Sequence, residues 1–241
     1  MNLYKDAANL LKEAKNILVF TGAGISAESG IPTFRGKDGL WNKYNPQELA
    51  TLEAFLKNPK LVWEWYDFRR KLIKEAKPNL AHLILAKWEK ILPLTIITQN
   101  VDELHQRAGS KNVIELHGNI WTLKCLSCSY QEKNYEVPLK EIPPICPKCH
   151  DLLRPGVVWF GEALPEDALK KAFALAQNAD VCLVIGTSGV VFPAAQIPYI
   201  VKETGGKVIE INLEPTPISE IADISFFEKA SEALRKIDKY L

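Results

Sequence analysis

Four short runs dominated by Ile, Val and Leu constrain this chain most: ILVF at 17–20, LTIIT at 94–98, DVCLVIG at 180–186 and KVIEINL at 207–213. Each has the length and composition of a buried strand rather than a helix. VIEL at 113–116 reads as a further strand. Helical patterns lie between them. Residues 3–15 put Leu3, Ala7, Leu10, Leu11 and Ala14 on one stripe. Asn45-Pro46-Gln47-Glu48 opens a helix with Asn as cap, Pro at the first position and Glu three residues after the cap. Asn58-Pro59 opens another that runs to about Ala76, and residues 165–178 and roughly 229–240 read as helices. Apolar strands alternating with helices predict an α/β fold with a Rossmann-like parallel sheet covered on both faces.

Residues 121–153 break that rhythm with four cysteines, four prolines and few large apolar residues. They are expected to form a small module inserted in one Rossmann-like domain made from residues 1–120 and 154–241. Cys125-x2-Cys128 and Cys146-x2-Cys149 are separated by 17 residues, within the spacing of four-cysteine zinc sites. Four thiolates complete a tetrahedron, so one zinc ion is expected to be structural. Cys146-Pro147-Lys148-Cys149-His150 also fits the c-type haem string, but the second cysteine pair and the lack of an export signal favour zinc. Cys182, inside DVCLVIG, reads as a buried small hydrophobe.

Bulk properties narrow the function classes. The formal net charge of the 241 residues is +1, so nothing draws the chain generally toward nucleic acid or anionic lipid. In the module Lys124, Lys133, Lys140 and Lys148 are balanced by Glu132, Glu136, Glu141 and Asp151, leaving no basic stripe for phosphates. No stretch of about 18 uncharged apolar residues exists, which excludes a helical membrane span. The first residues, MNLYKDAANLLKEAKN, alternate charged and apolar types and lack the core of a signal peptide. A cytoplasmic location is expected.

Gly22-Ala23-Gly24-Ile25-Ser26-Ala27 follows the first strand and fits the G-x-G-x-x-G/A turn. Such glycines permit a tight turn and close approach to a pyrophosphate, with following amides free to donate to phosphate oxygens. The acidic residue expected about 20 positions further on in dehydrogenases, at the end of a second strand, is not clearly present. Instead the chain continues GISAESGIPTFRG.

That longer run resembles the cofactor loop of sirtuins, and the resemblance extends along almost the whole chain. Gln99-Asn100-Val101-Asp102, Leu116-His117-Gly118, the two cysteine pairs, Val158-Trp159-Phe160-Gly161-Glu162, Gly186-Thr187-Ser188 and Asn212-Leu213-Glu214 follow in family order. The resemblance implies an NAD-dependent protein lysine deacylase, passing the acyl group to ADP-ribose and releasing nicotinamide. It implies that Gly22, Ala23, Gly24, Ser26, Ala27 and Arg35 contact the phosphates and ribose, with Phe34 shielding the reacting carbon. Trp41 and Val101 join them; Gln99 and Asn100 meet the nicotinamide-side ribose, and Asp102 holds the carboxamide. Gly186, Thr187, Ser188, Asn212, Leu213, Glu214 and Ala230 line the adenosine side. Val158, Phe160, Gly161 and Glu162 would meet the acylated lysine of a protein substrate.

His117 and Asn100 are carried over as catalytic. In the family reaction a ribose hydroxyl must lose a proton, and an imidazole with an ordinary pKa of about 6.5 suits that step. His82, His105 and His150 receive no catalytic role.

Arg69 bears on the acyl group. Its helical neighbours Val62, Trp65, Tyr66, Leu72 and Ile73 include no carboxylate, whereas Asp67 is placed to pair with Arg70 or Lys71. A buried charge without a partner is costly. Either a distant carboxylate or water satisfies Arg69, or a substrate carboxylate does, assisted by the Tyr66 hydroxyl. Y-x-x-R here resembles the sirtuins that remove succinyl and malonyl groups, in which the residue matching Ala50 is small and widens the pocket. Protein ADP-ribosyl transfer and a non-enzymatic NAD-sensing, chromatin- or nucleic-acid-binding module remain as alternatives.

Overall fold

In the computed structural model, which describes residues 2–36 and 39–241, β1 (Ile17–Thr21) is buried at every residue. It pairs in parallel with β2 (Leu94–Thr98) on one side and β7 (Val181–Ile185) on the other, Ile17 facing both Leu94 and Val181. β3 (Val113–Glu115), β8 (Lys207–Asn212) and β9 (Ile224–Phe227) complete a six-stranded parallel sheet of order β3-β2-β1-β7-β8-β9. The order reverses between β1 and β7, which is where Rossmann-like sheets open a crevice at their carboxyl ends.

The side-chain period of two explains why β1 is apolar throughout. Ile17 and Val19 pack with α1 (Leu3–Glu13), α6 (Leu80–Trp88) and α10 (Ala230–Asp238), through Leu11, Leu85 and Leu234 among others. Leu18 and Phe20 point the opposite way, toward α8 (Glu166–Ala176) and α9 (Gln196–Glu203), with Ala172, Ala176, Ile197 and Val201. Cys182 lies in this second layer, fully buried.

The elements read from the pattern fall in place with trimmed ends. The first helix stops at Glu13, the helix read over 165–178 is Glu166–Ala176, and the last is Ala230–Asp238. α9 and β9 were not legible. α9 carries Pro198 in its first turn, where a missing amide is tolerated.

The cysteine-rich stretch lies in a separate antiparallel sheet of order β5-β4-β6, formed by β4 (Gly118–Cys125), β5 (Gln131–Lys133) and β6 (Leu153–Val157). Its strands extend past residues 121–153 at both ends. Its apolar side does not pack alone. Ile120, Trp121, Leu123, Leu153 and Val157 share one cluster with Phe55 of α4 (Leu52–Lys57) and with Val62, Trp63, Trp65 and Tyr66 of α5 (Pro59–Glu75). α3 (Pro46–Leu49) and α5 start as expected: Asn45 accepts from the Gln47 amide and Asn58 from the Leu61 amide. Glu48, however, accepts from the Asn45 side-chain amide rather than closing a box on the backbone.

Two pairings expected on α5 do not form. Asp67 accepts from the Leu139 amide at 3.2 Å, and among the described residues it makes no ion pair with Arg70 or Lys71. Arg70 turns instead into the antiparallel sheet. Helical spacing put Asp67 near these cations, but in the fold its carboxylate satisfies the buried Leu139 amide instead.

Candidate active site

The carboxyl ends of β1, β2, β3, β7 and β8 carry Gly22–Ser26, Gln99–Asp102, His117, Gly186–Ser188 and Asn212–Glu214 respectively. One crevice therefore gathers the loops expected to bind cofactor. The turn after β1 leads into α2 (Gly24–Ala27), a single turn of helix. Its glycines are required by its neighbour strand. A Cβ on Gly24 would sit 2.7 Å from Gly186 Cα, and one on Gly22 would sit 2.8 Å from Gly186 O. The turn's amides are largely committed: Gly22 N–H donates to Ile185 O, Gly24 N–H to Gly186 O, Ile25 N–H to Gly22 O and Ser26 N–H to Ala23 O. The expectation of a row of free amides for phosphate is thus reduced to Ala23, whose N–H has no acceptor among the described residues.

Beneath the turn lies a buried polar network. Ser26 Oγ donates to Asp102 Oδ2 at 2.7 Å, and the Leu104 amide donates to Asp102 Oδ1 at 2.9 Å. Burial raises the Asp102 pKa, opposed by those two hydrogen bonds and by the charges of Arg69 and Arg107. Asn100 Nδ2 donates to Gly22 O at 3.1 Å, and its amide N–H to Thr98 Oγ1 at 3.0 Å. Gln99 Nε2 donates to Thr187 Oγ1 at 2.9 Å, and Asn212 Nδ2 to Thr187 O at 2.8 Å, so β2, β7 and β8 loops are tied together. Leu213 and Glu214 are exposed at the rim, and Ala230 is buried at the start of α10.

Two histidines given no role belong to this network. His82 Nδ1 accepts from the Asn79 amide at 3.3 Å, which puts its proton on Nε2, 3.5 Å from Ser26 Oγ. His105 Nε2 lies 3.0 Å from Thr21 Oγ1, which donates to Thr98 Oγ1. Burial lowers the His82 pKa to about 4, and burial together with His82 lowers that of His105 to about 3. Both are neutral scaffold groups. Asn79-x-x-His82 ahead of an apolar helix was the one local signal for the first; the second had none.

His117 is placed differently. Its Nδ1 lies 3.1 Å from Gln99 O. A carbonyl only accepts, so Nδ1 carries the proton and Nε2 keeps its lone pair. Burial lowers the His117 pKa, partly offset by the Gln99 contact.

The wall beside His117 is continuous with β6. Val158 N–H donates to His117 O, and Phe160 N–H to Ala50 O, both at 2.9 Å. Phe160 is exposed and Ala50 buried. Glu162 ends the same run. Its carboxylate is bound by Arg154 and accepts from the Trp159 amide at 2.8 Å, which braces the loop.

Arg69 is 7% exposed, so it is largely withdrawn from water. Its guanidinium carbon lies 4.7 Å from the Phe34 ring centroid, 5.0 Å from Trp65 and 5.7 Å from Tyr66. Among the described residues it has no hydrogen bond and no ion pair. Burial lowers its pKa, opposed by Tyr66 and by the charge of Asp102. The guanidinium stays a cation. The Tyr66 hydroxyl accepts from Trp159 Nε1 at 2.9 Å, leaving its own hydrogen to donate. Burial raises the Tyr66 pKa and keeps that hydrogen in place. The Phe34 and Trp41 ring centroids lie 5.1 Å apart with the rings tilted by 31°, and Trp41 stacks on Trp65 at 5.7 Å. The cofactor loop thus reaches the Arg69 slot through Phe34 and Trp41. Arg35 is exposed beside them.

The four cysteine sulfurs lie within 4.8 Å of one another. Cys125 and Cys149 Sγ are 3.3 Å apart, Cys128 and Cys146 Sγ 3.7 Å. Zinc–sulfur bonds of about 2.3 Å in a tetrahedron place sulfurs about 3.8 Å apart, so the donor set fits one structural zinc ion.

The Sir2 family model matches residues 22–193. An NAD-dependent protein deacylase of Aquifex aeolicus (strain VF5) is 63% identical over 230 residues, covering 95% of this chain and 96% of its own. One of Pyrococcus furiosus is 61% identical over 238 residues, covering 96% and 95%. Among solved structures, a Sir2 homologue–NAD complex shares 50% identity with a TM-score of 0.91, covering 98% of this chain and 94% of that one. A Sir2 complex with a p53 peptide and NAD+ shares 40% identity with a TM-score of 0.90, covering 99% and 98%.

Proposed function

The chain belongs to the Sir2 family and is an NAD-dependent protein deacylase, and from that premise we propose that it removes acidic acyl groups, succinyl and malonyl, from protein lysines, as well as acetyl. The single observation that carries the acyl preference is the Arg69 guanidinium, buried among Phe34, Trp65 and Tyr66 with no hydrogen-bonded or ion-paired carboxylate among the described residues. A desolvated cation in an aromatic slot gains most from a carboxylate that it can grip bidentately. Ala50 is small, and the free Tyr66 hydrogen adds a second donor.

When bound, NAD supplies the ADP-ribose that receives the acyl group, with nicotinamide as leaving group. The chain's own residues then do five things. The Gly22–Ser26 turn offers the Ala23 amide, while Gly186 packs against it and fixes its course. Gln99 and Asn100, oriented at the end of β2 by Thr187 and Gly22, would meet the nicotinamide-side ribose. Asp102, held by Ser26 and Leu104, would hold the carboxamide. His117 Nε2 accepts a proton, and its imidazolium is stabilised by the Nδ1 donation to Gln99 O. Val158, Phe160 and Gly161 form the wall past which the acylated lysine enters.

Among the described residues no helix is long and apolar enough to cross a membrane. Four thiols gathered for a metal rather than oxidised in pairs support a reducing, cytoplasmic setting. The test is turnover of matched acetyl-, malonyl- and succinyl-lysine peptides with NAD, the products read by mass spectrometry. O-succinyl- and O-malonyl-ADP-ribose formed at least as efficiently as O-acetyl-ADP-ribose support the reading; acetyl-only turnover contradicts it. ADP-ribosylated peptide side chains would mark a transferase instead.

A further inference from the structure

α5 carries a second row of residues that the reaction does not use. Trp63, Asp67, Arg70 and Lys74 are spaced by four, three and four, so they share one helix face. Each reaches the main chain of the zinc-bearing sheet or its loops. Trp63 Nε1 donates to Leu153 O at 2.7 Å, and the Leu139 amide donates to Asp67 Oδ1 at 3.2 Å. Arg70 Nη2 donates to Asn134 O at 2.7 Å, Asn134 Oδ1 at 2.8 Å and Glu136 O at 3.0 Å. Lys74 Nζ donates to Tyr135 O at 3.1 Å. Asn134, Tyr135, Glu136 and Leu139 all lie in the chain between Cys128 and Cys146, the two pairs that one zinc ion would join.

Arg70 is the centre of this row and the most costly member. It is fully buried, its Nε and Nη1 have no partner, and its guanidinium carbon lies 5.3 Å from the Trp121 ring. A buried, half-satisfied cation is a poor way to stabilise a core, because an apolar side chain of similar volume does as well or better. What the guanidinium supplies is a fixed direction: one nitrogen gathers three oxygens from two residues of the loop. Tyr66 and Arg69 stand on the adjoining face of the same helix, Arg69 directly before Arg70 in sequence.

We infer that Arg70 is a positioning residue for acyl selection: it fastens α5 to the zinc module and thereby sets where Tyr66 and Arg69 meet the acyl chain. The inference rests on the acidic-acyl reading, because only that reading gives the Arg69 position a consequence that differs between substrates. A bidentate guanidinium–carboxylate pair is sensitive to displacements of an ångström, whereas an acetyl group makes no such contact.

The experiment uses zinc-loaded Arg70→Met, Arg70→Lys and Lys74→Met, with Arg69→Met alongside. KM and kcat for succinyl- and acetyl-lysine peptides, KM for NAD and zinc content are measured for each. In Arg70→Met the KM for succinyl-lysine should rise about tenfold against about twofold or less for acetyl-lysine, with one zinc retained and NAD affinity kept. Arg70→Lys should restore part of the difference, and Lys74→Met, whose side chain is exposed, should show the same selectivity in weaker form. If Arg70→Met does not fold, Lys74→Met decides. Parallel losses on both peptides that track thermal stability overturn the inference and leave Arg70 a structural residue. Selective loss in Arg69→Met without it in the Arg70 and Lys74 variants overturns only the positioning role. No selectivity in any variant overturns both the positioning role and the acidic-acyl reading.

Discussion

His117 Nδ1 lies 3.1 Å from the carbonyl oxygen of Gln99, the first residue after β2. That contact fixes the tautomer and leaves Nε2 as the basic atom at the end of β3. It also links the proposed base to the residue that ties β2 to Thr187.

His117→Ala is expected to lower turnover by about 10²–10⁴-fold while NAD binding, followed by calorimetry, persists. The pH profile follows from the sign of the shift. Burial lowers the His117 pKa, and a base works when unprotonated, so activity is held above that pKa and lost as pH falls through it. The acid limb of kcat/KM should therefore lie below the ordinary imidazole value of about 6.5. A limb above that value would show that another group titrates.

Gly24→Ala should destabilise the protein by about 1–3 kcal/mol and weaken NAD binding, because the new Cβ meets the Gly186 backbone at 2.7 Å and neither strand end can yield cheaply. Thermal unfolding and NAD titration of the variant measure both effects. An unchanged melting temperature would mean that the β1 and β7 ends separate easily.

His82 and His105 make stability pH-dependent. Both are neutral in the fold, with pKa values lowered to about 4 and about 3. The unfolded chain takes up their protons first, so stability is complete above about 6.5 and falls as pH drops toward those values. The slope between pH 6.5 and 4.5, read as melting temperature in several buffers, should flatten in His105→Gln even though that variant is less stable throughout. An identical slope would assign the acid sensitivity to other groups.

Removal of the metal should unfold the antiparallel sheet without exposing a catalytic water site. Cys125→Ala or strong chelation is expected to release one zinc per chain and lower thermal stability, since formation of such sites is coupled to folding. Activity lost on chelation and regained with zinc but with no change in the melting curve would point to metal chemistry in the reaction.

The central sheet was legible because ILVF, LTIIT and VCLVI face helices on both sides and so cannot alternate with polar residues. The cysteine spacing was equally informative. β9 and α9 were not, because ISFF is short and QIPYIVKE hides a helix behind Pro198. At the site, the lack of a local partner for Arg69 could be read from its helical neighbours, and so could its contacts with Trp65 and Tyr66. The third ring, Phe34, comes from a loop thirty-five positions earlier, and no periodicity joins them. Asp67 shows the opposite failure. Its position suggested a helical ion pair, but its carboxylate is taken by the Leu139 amide, a contact fixed only in the folded chain.

The most direct measurement of acyl selection is the ratio of kcat/KM for succinyl-lysine to that for acetyl-lysine in wild type and in Arg69→Met. Loss of a charge-assisted bidentate contact of about 1.5–3 kcal/mol should lower that ratio about tenfold or more, with acetyl turnover maintained or improved. Tyr66→Phe should lower it less, since only one neutral donor is removed. An unchanged ratio, with both substrates falling together as the melting temperature falls, would contradict the assignment of Arg69 to the substrate carboxylate.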